Sequence, residues 1–99
     1  MAESAETSSV KLPSVTILQH AAKLAIREDR PIMLDYWLDS LEQKALIGVR
    51  EEGEKLLVRS EEEYTSPIQK IFKVAEEYII LTENSIYVVS SSIPTKRIS

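Results

Sequence analysis

The sequence contains no cysteine and only one histidine, His20, among its 99 residues. A disulfide, a cysteine nucleophile and a cysteine-held zinc ion are therefore excluded. General-base catalysis needs an oriented partner and a pocket, so we expect His20 to lie at the surface or boundary of a helix. We predict no metal, no cofactor and no enzymatic activity.

Glycine is also scarce, since Gly48 and Gly53 are the only two copies. This scarcity excludes the glycine-rich loops that hold phosphates and the dinucleotide-binding fingerprint. No apolar run approaches the ~20 residues that a membrane-spanning helix needs. Residues 1–10 carry two glutamates and lack the apolar stretch of a secretory signal. We expect an intracellular, cytoplasmic protein with no membrane partner.

The formal net charge is -4, and the acidic residues are concentrated in one segment. Residues 51–63 hold six glutamates against Lys55 and Arg59, a local net charge of -4 that accounts for the whole imbalance. An acidic surface disfavours non-specific binding of phosphates. The segment is either a solvated loop with a strand edge or a docking face for a basic partner.

The first regular element predicted is a helix over residues 14–29. Ser14 is a suitable N-cap, and Ile17, Ala21 and Leu24 form one apolar stripe at helical spacing. Pro31 cannot continue the helix.

Residues 32–43 fit two patterns. Aromatic and apolar residues dominate 32–37, which favours a strand there, followed by a polar connection. The alternative is a second helix, in which Leu34, Trp37, Leu38 and Leu41 align on one side.

Short strands are predicted after residue 44. Residues 45–50 and 55–60 flank Gly53, which suits a three-residue hairpin loop with a bulge, and Gly48 suggests a bulge or a close backbone approach. Residues 61–67 contain a proline and are predicted to form a loop or an edge segment. Residues 68–74 alternate as a strand, with Ile68, Lys70, Phe72 and Val74 on one face and Gln69, Ile71 and Lys73 on the other.

The final strands, within residues 78–90, form a predicted hairpin around Glu83 and Asn84, with Asn84 suited to a left-handed turn position. The expected pairs are Ile79 with Val88, Ile80 with Tyr87 and Leu81 with Ile86. Both faces of this hairpin are apolar, so both need cover. The helix can cover one face, and the other requires curling of the sheet into a barrel or a second chain.

Together these patterns predict an α+β fold. Residues 1–12 are expected to be a flexible tail, residues 13–93 one domain, and residues 94–99 an irregular tail with Ile93 against the domain. The domain would consist of one N-terminal helix packed on a twisted antiparallel β-sheet of five to six short strands, arranged as a meander or partial barrel.

A non-catalytic protein-interaction or regulatory module that associates with itself is the leading functional prediction. Its partner would be another protein or a second copy, as a homodimer. The candidate interaction surface comprises Trp37, Tyr64, Glu61, Glu62 and Glu63, because tryptophan and tyrosine are enriched at binding hot spots and loops often carry function. The alternative is a nucleic-acid-associated accessory factor, which is less favoured because the alternation of residues 68–74 separates Lys73 from Lys70 and Phe72.

Overall fold

The structure, a computed structural model, describes residues 11–98. Over that range the chain forms two helices and seven strands. In chain order they are α1 (Val15–Glu28), β1 (Ile32–Met33), α2 (Trp37–Leu41), β2 (Leu46–Val49), β3 (Lys55–Val58), β4 (Ile68–Val74), β5 (Glu77–Thr82), β6 (Ile86–Ser90) and β7 (Thr95–Arg97).

The strands are divided between two sheets. The first sheet has the order β1-β6-β5-β4, and the second sheet has the order β3-β2-β7. Most neighbours are antiparallel, but β1 runs parallel to β6 and β7 runs parallel to β2. The predicted α+β class is therefore confirmed, whereas the single antiparallel sheet of five to six strands is wrong.

Helix α1 begins and ends where the sequence predicts. The Ser14 hydroxyl accepts a hydrogen bond from the Ile17 backbone N–H at 3.1 Å and also donates to Glu77 Oε1 at 2.7 Å. Asp29 closes the helix in the left-handed conformation, with φ 56°. Ile17, Ala21 and Leu24 are buried, so the predicted apolar stripe is the face that packs on the first sheet.

The β5–β6 hairpin has the predicted register, with Ile79 opposite Val88, Ile80 opposite Tyr87 and Leu81 opposite Ile86. Its turn is closed by Thr82, whose backbone N–H and side-chain hydroxyl both donate to the Ser85 carbonyl. The predicted left-handed Asn84 is wrong, because Asn84 has no positive φ. Hydrogen bonding by the Thr82 hydroxyl holds the turn instead.

Each face of this hairpin lies against a different layer of the same chain. The helix-side cluster lies between α1, α2 and the first sheet, and its buried members are Ile17, Ala21, Leu24, Trp37, Ile79, Leu81, Ile86 and Val88. The inter-sheet cluster lies between the two sheets, and its buried members are Tyr36, Ala45, Ile47, Leu57, Ile80, Val89 and Ile93. The cover that both faces required is therefore present within one chain, and the second face provides no argument for a second copy.

The predicted strand over residues 32–37 is wrong beyond Met33. Only Ile32 and Met33 pair with β6, and α2 follows from Trp37. Trp37 and Leu41 are four residues apart, so in a helix both side chains lie on one face, and both pack in the helix-side cluster. Ser40 fixes the helix to β6, since its hydroxyl donates to the Trp37 carbonyl at 2.6 Å and accepts from the Ser90 N–H at 2.9 Å.

The predicted irregular tail over residues 94–99 is also wrong in part, because Thr95–Arg97 forms β7. Pro94 precedes the strand and supplies only its carbonyl, which accepts from the Ile47 N–H at 2.9 Å. The missing proline N–H is therefore not needed at that position. Ile93 packs in the inter-sheet cluster as predicted. Of the tail predicted over residues 1–12, residues 1–10 lie outside the described part of the chain.

Strand β4 departs from strict alternation. Its register with β5 shifts between Ile68 and Lys70, which leaves Gln69 as an extra residue. The bulge turns Ile68 to the same side as Ile71, against the inter-sheet cluster. The predicted face shared by Ile68, Phe72 and Val74 is therefore wrong for Ile68.

Candidate protein-binding groove

A groove of about 500 Å³ lies on the outer face of the second sheet, opposite the inter-sheet cluster. Because side chains alternate along a strand, Ile47 and Leu57 face the first sheet while their neighbours face outward. The apolar side chains of the groove are Leu46, Leu56, Val58 and Ile98, and Arg50, Arg59, Ser60, Glu61 and Tyr64 line it as well.

Gly48 forms the closest contact beneath this groove. A Cβ atom at Gly48 would lie 2.7 Å from Ile98 Cδ1 and 3.1 Å from Val58 Cγ2. The missing side chain lets Ile98, which follows β7, fold across β2. Of the two predicted alternatives at Gly48, the register shows no bulge, and the close approach is made by the side chains of Ile98 and Val58 and not by another backbone segment. Ile98 remains 39% exposed.

Tyr64 lies at the groove with 51% of its surface exposed. Its backbone forms an isolated antiparallel bridge with Val58, which places the ring beside the outer face of β3. The Arg50 guanidinium lies 6.0 Å from the centre of the Tyr64 ring. An exposed tyrosine that contacts a cation and borders an apolar surface is a common feature of binding hot spots.

Arg59 is held on several sides at the other border of the groove. It forms an ion pair with Asp39, donates to the Asp35 carbonyl at 2.9 Å and stacks 5.0 Å from the centre of the Tyr36 ring. The hydrogen bond with Asp39 raises the pKa of Arg59 above its usual value. A guanidinium fixed by this many contacts serves as a rigid wall of the groove.

The free charge around the groove is negative. Arg50 pairs with Glu54 at 3.1 Å, and Arg59 pairs with Asp39 and lies 3.7 Å from Glu63, so both cations are already neutralised. Four exposed glutamates have no salt bridge to any residue of the range 11–98, namely Glu51, Glu52, Glu61 and Glu62. A ligand with cationic groups beside apolar side chains would complement this arrangement.

The predicted surface residues fall into two groups. Tyr64 and Glu61 line the groove, and Glu62 and Glu63 are exposed in the adjoining turn, where the Ser60 hydroxyl accepts from both of their backbone N–H groups. Trp37 is 5% exposed and belongs to the helix-side cluster, so its prediction as a surface anchor is wrong. Its indole N–H donates to the Lys11 carbonyl at 2.9 Å, which satisfies its polar atom without a partner protein.

Several residues of the groove were not foreseen from the sequence, namely Leu46, Arg50, Val58, Arg59 and Ile98. Leu46 and Val58 lie in β2 and β3, and Arg50 and Arg59 directly follow these strands. Ile98 follows β7 and joins them only when the parallel β2–β7 pair forms. The one available signal was glycine inside a predicted strand at position 48, which indicated close approach by another segment.

Across residues 11–98, no group of three or more His, Cys, Asp or Glu side chains could hold a metal ion. Neither described helix combines the length and the apolar character that crossing a membrane requires. Comparisons with protein-family models, with curated proteins and with solved structures gave no match.

Proposed function

We propose that the chain is a non-catalytic protein-interaction module whose outer groove binds an extended segment of a partner protein. The segment would carry apolar side chains flanked by lysine or arginine. The single observation that supports this proposal is the groove itself, with an apolar base, an exposed tyrosine and unneutralised glutamates at its border.

The composition of the groove matches that of protein interfaces. Interface centres are apolar and enriched in tyrosine and arginine, and their rims are polar. Here Leu46, Leu56 and Val58 form the base, and Tyr64 and Arg59 form the walls. The fixed position of Arg59 means that little side-chain freedom is lost on binding, which favours affinity.

The choice of a basic partner follows from the charges. Glu61 lines the groove and Glu62 lies beside it, and neither is neutralised by a described residue. Partial burial of these carboxylates by a neutral or acidic segment would leave them unpaired, which is unfavourable. A basic segment would pair with them and would also associate faster at low salt.

The proposal is tested with two short synthetic peptides of alternating composition. One alternates leucine with lysine, and the matched peptide replaces every lysine with glutamate. We expect the basic peptide to shift backbone amide resonances of β2, β3 and residues 60–64, and the acidic peptide to leave them unchanged. Equal shifts with both peptides, or shifts confined to another surface, would refute the proposal.

A matched pair of variants locates the binding surface. Ile98→Ser removes an apolar side chain of the groove, whereas Ile26→Ser removes an equally large one that is 84% exposed on α1. We expect the Ile98 variant to weaken peptide binding at least several-fold, in line with hot-spot losses above ~1 kcal/mol. The Ile26 variant should bind as the unchanged chain does, and a loss in both variants would contradict the assignment of the groove.

A further inference from the structure

A second groove, of about 580 Å³, lies between α1 and the edge strand β4, on the side of the molecule formed by the first sheet. Its apolar lining residues are Leu24, Ile71, Val74 and Ile79, and Phe72 is its aromatic lining residue. The groove is also lined by His20, Lys23, Arg27 and Lys73. It therefore combines an aromatic ring with cations that lack the close ion pairs of Arg50 and Arg59 in the groove on the second sheet.

The cations of this groove are largely free of acidic partners. Lys23, Lys70 and Lys73 form no salt bridge with any carboxylate of residues 11–98, and Arg27 has only a long 3.9 Å contact with Glu28. Glu28 lines a small adjoining depression with Lys70. The local potential is therefore positive, although the whole chain carries a net charge of -4.

Phe72 is placed for stacking. The ring is 37% exposed on the edge strand, and Lys70 Nζ lies 6.0 Å from its centre. Phe72 lies opposite Ile79 on the side of β4 that faces α1, whereas Lys73 lies opposite Tyr78 on the other side. Both residues line the groove, which lies at the open edge of the sheet, where β4 has no further neighbouring strand. A positive groove with an exposed aromatic ring is the usual combination in proteins that bind single-stranded nucleic acid.

We propose that the groove between α1 and β4 binds single-stranded nucleic acid, with Lys23, Arg27, Lys70 and Lys73 contacting backbone phosphates and Phe72 stacking on a base. Part of the acidic segment 51–63 lies close to this surface, since Gly53, Glu54 and Lys55 line a depression together with Lys70, but Glu54 is already paired with Arg50 at 3.1 Å. A duplex presents its bases already stacked, so it offers no face to Phe72 and is expected to bind more weakly.

The test is fluorescence anisotropy with a labelled oligothymidylate about twelve nucleotides long, within the range of single-strand site sizes. Four phosphate contacts give a slope of about -2.8 for log affinity against log salt, so affinity should fall about 50-fold between 50 and 200 mM salt. Absence of binding at 50 mM salt, or tighter binding of the corresponding duplex, would overturn the proposal.

Two charge variants with the same net charge separate the groove from a general charge effect. Lys23→Gln with Lys73→Gln should halve the slope to about -1.4, because two phosphate contacts are lost. Lys55→Gln with Lys96→Gln, two exposed lysines of the second sheet, should keep the slope near -2.8. An equal change of slope in both pairs would overturn the assignment to this groove.

Substitution of the aromatic ring tests stacking independently of charge. Phe72→Leu should weaken binding about 5-fold or more at constant salt slope, and Phe72→Tyr should retain binding, because loss of one base–aromatic stack corresponds to ~1–3 kcal/mol. Circular dichroism of each variant checks that the fold is kept. Unchanged affinity in Phe72→Leu would show that the ring does not stack and would overturn that part of the proposal.

Discussion

Replacement of Ile79 and Ile80 by alanine, one at a time, tests whether both faces of the β5–β6 hairpin are covered within one chain. The two residues are consecutive, so their side chains point to opposite faces. Ile79 is 2% exposed in the helix-side cluster, and Ile80 is 0% exposed in the inter-sheet cluster. In a sheet with one solvent-exposed face, truncation of only one of two consecutive residues would lower the free energy of unfolding.

The expected loss follows from the carbon atoms removed. Isoleucine to alanine deletes three carbon groups, worth about 2.4 kcal/mol at ~0.8 kcal/mol each, and a partly collapsed cavity adds to this. We expect each variant to lose about 3 kcal/mol of the free energy of unfolding. For a chain of 99 residues this corresponds to a fall of about 12 °C or more in the melting temperature.

Urea unfolding followed by tryptophan fluorescence measures both losses, because Trp37 is the only tryptophan and is buried. Ile26→Ala is the control, since Ile26 is 84% exposed on α1 and alanine is a better helix former. Its stability should change by less than ~0.5 kcal/mol. If Ile80→Ala behaved like this control, the packing of the second sheet over the hairpin would be refuted.

Three further predictions follow. Ser14→Ala should lower the free energy of unfolding, measured with urea, by about 1–2 kcal/mol, because the N-cap hydrogen bond is lost. Ser14→Thr should keep much of this stability, whereas Ser14→Asp should not, because its carboxylate would face Glu77. Burial, with smaller effects of Tyr87 and Asp35, raises the pKa of Tyr36 to about 12. The folded state then keeps a proton that the unfolded chain releases near pH 10, so stability falls by about 2 kcal/mol as pH rises from 10 to 12, and Tyr36→Phe should remove that part of the fall. Sedimentation equilibrium without ligands should give a mass of 11.2 kDa, because both faces of the hairpin are covered within one chain, and a concentration-dependent dimer would contradict this expected monomer.

The sequence predicted those elements whose pattern depends on near neighbours. The register of β5 and β6 follows from the turn at Glu83 and Asn84, which sets Thr82 opposite Ser85 and so fixes the pairs that follow. The Gly53 turn was equally predictable, because its φ of 91° is a conformation that glycine adopts without strain. Ser14 was identified as the N-cap for a comparably local reason.

The errors arose where distant segments decide the structure. Trp37 was predicted as an exposed strand residue, whereas packing against α1 and β6 made it a buried helix residue. Strand β7 was missed because its partner β2 lies almost 50 residues earlier and runs parallel to it. A parallel pair has no connecting hairpin turn that could be recognised in the sequence. The same pairing brings Ile98 to the groove, which explains why Tyr64 was predicted as a surface residue and Ile98 was not.

Strands β5 and β6 take part in both hydrophobic clusters at once. Neither cluster can therefore unfold while the other stays intact, because loss of the hairpin removes buried residues from both. The domain should behave as a single cooperative unit, with coincident transitions for fluorescence, circular dichroism and amide exchange. Ligands at either groove would then protect the whole molecule against unfolding, including the face they do not touch.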